Sequence, residues 1–266
     1  MLSFKVNITN KNFRLCEDVD YKFNNICVVT WGDGVISTVS NMKDMKHKYK
    51  KLGEYDIVVT NLDTDMIRFK GCKDLIEVKG KLPALGLDGI IDMFYGCENL
   101  VQVDPLYFIN NKFQRNASNL CKDCYRLKDI TFIFPLSEVE IIDSFLENCQ
   151  SVSNLNDISA YKWGYKIKSA NRAFKGIKFS HAPDKDILTA MKDLEYANGI
   201  FEDWLMMNEC YTYFMYNLNI KRIDSAFKGS IIHRIDPNWF YYLPNSVETN
   251  RSDIFDDSVN KKLNGI

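Results

Sequence analysis

One position recurs through most of this chain at nearly constant spacing, and that period restricts the folds open to it. Phe69, Phe94, Cys121, Leu146, Phe174, Phe201, Phe227 and Phe255 are separated by 25, 27, 25, 28, 27, 26 and 28 residues. A period of this length marks stacked supersecondary units, each unable to bury its apolar face alone. Three positions after the anchors come Cys72, Cys97, Cys124 and Cys149, then Ile177, Trp204, Ser230 and Ser258. Six positions after them lie Leu75, Leu100, Leu127, Val152 and Met207. Three positions before them stand Ser118, Asp143, Asn171, Asn198, Asp224 and Ser252, side chains that accept hydrogen bonds from the free N–H groups of a starting helix. Each unit is therefore expected to be a short capped helix carrying Phe and Cys inward, then a turn and an extended segment such as LKDITFIFP. In that scheme Cys97 is a packing residue, a compact hydrophobe on the same helical face as Phe94.

The first 62 residues lack the period. SFKVNIT, ICVVTWGDG and GEYDIVVT alternate apolar and polar residues between Gly-containing turns, the pattern of antiparallel strands. A linker around residues 61–65 is expected to separate residues 1–62 from residues 63–266, which end in the polar run DDSVNKKLNGI. At 46% apolar and 26% charged residues the chain is globular, and its net charge of −1 gives no global field toward nucleic acid or anionic lipid. The N-terminus alternates like a strand and has no basic segment leading into an apolar run, so export by a signal peptide is not expected. The eight cysteines are read as free thiols, mostly buried.

Two resemblances follow from these segments. VVTWGDGVISTVSNMKDMKHKYKKLGEYDIVV, with its W-G-D-G, H-x-Y and G-x-Y, resembles PKD-type β-sandwiches. CYRLKDITFIFPLSEVEIIDSFLENCQSV and MFYGCENL resemble BspA-type leucine-rich repeats. Together they imply an α/β leucine-rich-repeat solenoid of about eight repeats of 25–28 residues, preceded by a small all-β immunoglobulin-like sandwich. They also imply a non-enzymatic structural or binding protein. The expected setting is a bacteriophage virion assembled in the host cytoplasm, as a fibre, decoration or adhesion component; the alternative is an adhesin on the bacterial cell surface. Partners would be other virion or surface proteins, or a host-surface glycan or protein, with self-association as a further expectation. Neither nucleic acid nor membrane insertion is expected.

No constellation of residues points to catalysis. Cys121-Lys122-Asp123-Cys124 is the single C-x-x-C, but no second Cys or His pair follows at zinc spacing, and both thiols fill repeat slots. His47, His181 and His233 have no paired nucleophile, and carboxylates such as Glu202 and Asp203 form no acid/base pair. Asp33 lacks the D-x-D-x-D-G context of a calcium loop and reads as a turn-stabilising side chain. No metal or cofactor is expected. The three N-x-S/T sequons at Asn7, Asn116 and Asn250 carry little weight without an export signal. Two features are left as binding candidates. KDMKHKYKK (43–51) is ordinarily a solvated loop, and its functional alternative, through Lys46 and Lys48, is contact with an acidic surface or polyanionic glycan. YTYFMY and NWFYYLP ordinarily fill a core, and their functional alternative is a contact patch of Tyr211, Tyr213, Tyr241 and Tyr242.

Overall fold

The computed structural model describes residues 1–16, 21–64, 67–80, 90–104, 115–130, 138–152, 166–178, 191–204, 207–210, 219–235, 243–245, 247–249 and 251–263. Eight strands come first: β1 (Leu2–Ile8), β2 (Asn12–Arg14), β3 (Lys22–Thr30), β4 (Ile36–Asn41), β5 (Lys46–Lys48), β6 (Gly53–Thr60), β7 (Leu75–Gly80) and β8 (Gln102–Val103). Six of them form one mixed sheet in the order β4-β3-β6-β1-β7-β8, while β2 and β5 pair separately. In β1 the alternation LSFKVNI buries Leu2, Phe4, Val6 and Ile8 on one face, as period-two patterning requires. Strand β1 is antiparallel to β6 on one side and to β7 on the other. The sheet therefore runs past residue 62 instead of closing within it. The expected self-contained PKD-type sandwich is not what forms.

The α/β leucine-rich-repeat solenoid expected after it does not form either. The protein is mainly β, and among the described residues the one α-helix is α1 (Asp257–Leu263). Strands β9 (Met207–Cys210) and β10 (Ile232–Ile235) add a small parallel pair. What sits at the anchors is a run of tight turns. Around Phe94 the N–H groups of Met93, Tyr95 and Cys97 bond carbonyls three residues back, while those of Asp92, Phe94 and Gly96 reach across to Ser118, Leu120 and Lys122. Asp92 and Gly96 have φ of 56° and 73°, a left-handed backbone that no α-helix contains. Asn119 and Asp123, Ser144 and Asn148, and Arg172 and Gly176 repeat that pair of positions around the next three anchors. The three-residue step from Phe to Cys suits a turn as well as a helix, so the pattern misread the local structure.

The supposed helix caps act between turns. Asp143 Oδ1 accepts the N–H of Asn171 at 2.8 Å, Asn171 Oδ1 that of Asn198 at 2.9 Å, and Asn198 Oδ1 that of Asp224 at 2.8 Å. Beside this row the rings pile up: Phe69 on Phe94, Phe174 on Phe201, Phe201 on Phe227 and Phe227 on Phe255, with centroids 5.2–5.8 Å apart. Cys97, Cys124 and Cys149 each donate Sγ–H, at 3.0 Å, to the anchor carbonyl of the preceding turn: Phe69, Phe94 and Cys121. Ser230 does the same to Phe201 at 2.6 Å. At the near end Phe69 meets Phe4 of the sheet edge-on at 5.8 Å. At the far end α1 buries Val259, and Asn260 Nδ2 donates to the carbonyls of Ser252 and Phe255.

Phe94 is fully buried and ring-stacked, so Phe94→Ala is expected to cost about 3–5 kcal/mol in chemical denaturation. Cys97→Ser keeps a donor in a place where Ser230 shows that a hydroxyl fits, and its expected cost is about 1 kcal/mol. Equal losses from the two changes would mean that Phe94 is not stacked in the core.

Candidate binding site

The short strands β2 and β5 pair in antiparallel register, Asn12 with Lys48, Phe13 with His47 and Arg14 with Lys46. Side chains alternate across such a ribbon, so Phe13 and His47 share one face and the other four residues share the opposite one. The inner face is locked. His47 stacks on Trp31 at 4.9 Å with the planes 9° apart, and Phe13 meets Trp31 edge-on at 6.3 Å. Tyr49, two residues further along the chain, donates its hydroxyl to the Trp31 carbonyl at 2.9 Å. His47 Nε2 lies 2.9 Å from Asp33 Oδ2, and Asp33 Oδ1 accepts the N–H of Val35 at 3.1 Å.

Asp33 therefore stabilises its turn, as the sequence suggests, and also ties that turn to the ribbon. The turn depends on Gly32, whose φ is 83° and where a Cβ would come within 2.7 Å of the Asp56 carbonyl oxygen. Burial works to raise the Asp33 carboxyl. The hydrogen bond to His47, the Val35 N–H and the charge of His47 outweigh it and hold the group below its ordinary value.

The outer face carries Asn12, Arg14, Lys46 and Lys48, all exposed. With Phe13 and His47 they line a depression of 270 Å³. Asn12 and Arg14 also line an adjoining hollow of 500 Å³ with Thr9, Asn10 and the segment Gly71–Asp74. Among the described residues Arg14, Lys46 and Lys48 have no carboxylate within ion-pair distance. Several cations of the turns do have such a partner. Lys70 pairs with Asp92, Lys122 and Arg172 with the buried Glu147, Lys168 with Glu140, Lys175 with Glu202 and Lys221 with Glu195. Arg115 also pairs with Glu140.

Of the binding candidates in the sequence, Lys46 and Lys48 meet on this ribbon, whereas Tyr211, Tyr213, Tyr241 and Tyr242 lie outside the described residues. Arg14 and Asn12 went unread, because a three-residue strand gives almost no periodicity and its partner lies more than thirty positions away. Phe69, Cys72, Phe94, Cys97, Cys124, Cys149, Phe174, Phe201, Phe227 and Phe255 are all buried. Cys121 and Cys124 are buried too, and among the described residues no group of three or more His, Cys, Asp or Glu is placed to hold a metal. His181 and Asn250 lie outside the described residues, as does the side chain of His233. Among the described residues no helix is long and apolar enough to cross a membrane.

No family model, curated protein or solved structure matches this chain. The resemblances to PKD sandwiches and BspA-type repeats are thus corrected twice, by a mainly-β architecture without the expected helices and by the lack of any matching family. No relative supports a leucine-rich-repeat, bacteriophage or adhesion reading.

Because the Asp33 carboxyl is held below its ordinary value of 3.8, it stabilises the fold above that pH, and the contribution is lost as pH falls through the lower folded value. Unfolding free energies of the wild type and Asp33→Asn should differ by a constant amount between about pH 4.5 and 5.5 and converge in stronger acid. A gap that persists unchanged down to about pH 2 would show that the ionised carboxylate contributes nothing.

Proposed function

We propose that the protein is a non-enzymatic binding protein that holds an anionic glycan in the groove over Arg14, Lys46 and Lys48. The observation that carries this reading is the contrast in pairing. Several cations along the turns are matched with carboxylates, while the three of the ribbon share one exposed face with no carboxylate partner among the described residues. Three cations held by a rigid ribbon act together on a polyanion, although one exposed ion pair contributes only about 0.2–1 kcal/mol.

A glycan fits the groove better than an acidic peptide. Its outer lining is polar, with Asn10 and Asn12 beside the cations and Oδ1 of the Asp74 carboxylate taken up by the hydroxyl and N–H of Thr9, and the one large apolar side chain in it, Phe13, is buried. Hydroxyls and sulfates or carboxylates would find partners there, and an apolar peptide anchor would not. A virion protein touching its host and a surface adhesin would both make such a contact, and the groove is proposed independently of either setting.

The test is binding to heparin and to polygalacturonate, with polyglutamate as competitor. The wild type should bind both glycans and release them as salt rises from about 0.05 to about 0.5 M. Arg14→Glu/Lys46→Glu/Lys48→Glu should lose binding with an unchanged melting temperature. Undiminished binding by the triple variant, or preference for polyglutamate, would reject the proposal.

A further inference from the structure

The groove is longer than the ribbon that carries its cations, and its two parts differ in charge. Asn12 and Arg14 line both the 270 Å³ depression and the adjoining 500 Å³ hollow, so the two are continuous across β2. Ligand sites commonly enclose about 300–1,000 Å³, which leaves room here for more than one sugar unit. Among the described residues the depression is lined by Arg14, Lys46 and Lys48 and by no carboxylate.

The hollow has another balance. Beyond Arg14, its charged lining residues are Lys73 and Asp74. Lys73 is already matched, with Glu98 at 2.8 Å. Asp74 is fixed in the wall. Its carbonyl accepts the N–H of Asn7 at 2.8 Å, and its Oδ1 accepts both the N–H of Thr9 at 3.1 Å and the Thr9 hydroxyl at 2.7 Å. These three bonds tie the first turn to the end of β1 and hold the carboxylate where it stands. They leave Oδ2 with no hydrogen-bond partner among the described residues.

An anion entering the hollow would meet this carboxylate at close range, and the neighbouring cation is matched by Glu98. A neutral sugar meets no such repulsion. Its hydroxyls can donate to the Asp74 carboxylate, a stronger bond than one to a neutral acceptor, and can exchange bonds with the exposed amides of Asn10 and Asn12. We infer that the groove selects a glycan in which an anionic unit is followed by a neutral one, the first over Arg14, Lys46 and Lys48 and the second in the hollow against Asp74. The inference rests on the reading of the groove as an anionic-glycan site and narrows the substrate class. Asp74 is the specificity-determining residue: it supplies the repulsive element that separates a mixed chain from one charged at each unit.

The test is calorimetric titration of the full-length protein with two tetrasaccharides at the same low salt. One is a hyaluronan fragment, in which glucuronate alternates with neutral N-acetylglucosamine. The other is tetragalacturonate, which carries a carboxylate on each unit. The wild type should bind the hyaluronan fragment about tenfold more tightly, although it has half the charge. Asp74→Asn keeps an oxygen for the Thr9 bonds and removes the charge, so it should bind tetragalacturonate more tightly and lose the preference, at an unchanged melting temperature. Arg14→Glu/Lys46→Glu/Lys48→Glu should bind neither probe. Equal or reversed affinities in the wild type, or a preference that persists in Asp74→Asn, would overturn this inference and leave the groove standing. A wild type that binds neither tetrasaccharide would reject the groove itself, and the inference with it.

Discussion

The interaction on which the rest depends is the backbone hydrogen bond from one turn to the next. Phe69 and Gly71 donate to Met93 and Tyr95, Phe94 and Gly96 to Leu120 and Lys122, and Cys121 and Asp123 to Phe145 and Glu147. The same pattern continues through Leu146, Phe174 and Phe201 to Phe227, whose N–H reaches Ile254. Alternate N–H groups close turns within a unit, and those between them leave it. A buried N–H without a partner costs about 1–3 kcal/mol, so a single unit cut from its neighbour would lose several such bonds at once. The anchors are thereby held in line, and the rings stack because the backbone ladder has already set their spacing near that of neighbouring strands.

Such a ladder has two ends, and each is closed by a different device. The sheet closes the first. Strand β7 bonds β1 on one side and β8 on the other, so the antiparallel strands pass directly into the parallel pairing of the turns. Helix α1 closes the second, with Asn260 supplying two donors to backbone carbonyls. Along the flank runs a row of alternating charge, Arg115, Glu140, Lys168, Glu195 and Lys221, in which Glu140 pairs with Arg115 and Lys168, and Glu195 with Lys221. Exposed pairs of this kind add little energy one by one. Their value lies in register: sliding one turn past another would put like charges together.

How much of this was legible in the sequence can be judged residue by residue. The period was visible because Phe and Cys recur at fixed steps, and those side chains are buried. The conformation that carries them was not visible. A helix and a run of turns both bring residues three apart onto one side, and what separates them is left-handed backbone at Asp92, Asn119, Ser144 and Arg172. Gly96 and Gly176 were the available hint, since glycine and asparagine tolerate positive φ, but Arg172 gives none. Asp143, Asn171 and Asn198 were correctly seen as acceptors, yet their donors sit one unit away, 26–28 residues along the chain. On the ribbon, Lys46 and Lys48 stood out as a charge run, and Arg14 joined them only through cross-strand pairing.

The Cys positions show why chemistry and packing were hard to tell apart. A thiol in the third place after the anchor fills space and also donates to a carbonyl one turn back. Serine performs the second task at residue 230, so the position selects for a small donor and not for sulfur reactivity. Burial pushes the thiols of Cys97, Cys121 and Cys149 well above the ordinary range, with neighbouring thiols adding to the effect. A thiol kept protonated is a poor nucleophile and a poor metal ligand, and here the proton is what makes the hydrogen bond. The same logic separates the turns from the ribbon. In the turns, the backbone donors and several of the charges are spent on neighbouring turns, so a ligand at those groups would have to displace bonds that hold the fold. On the ribbon the inner face is committed through Trp31, Tyr49 and Asp33, while the cations of the outer face are exposed and have no carboxylate partner among the described residues.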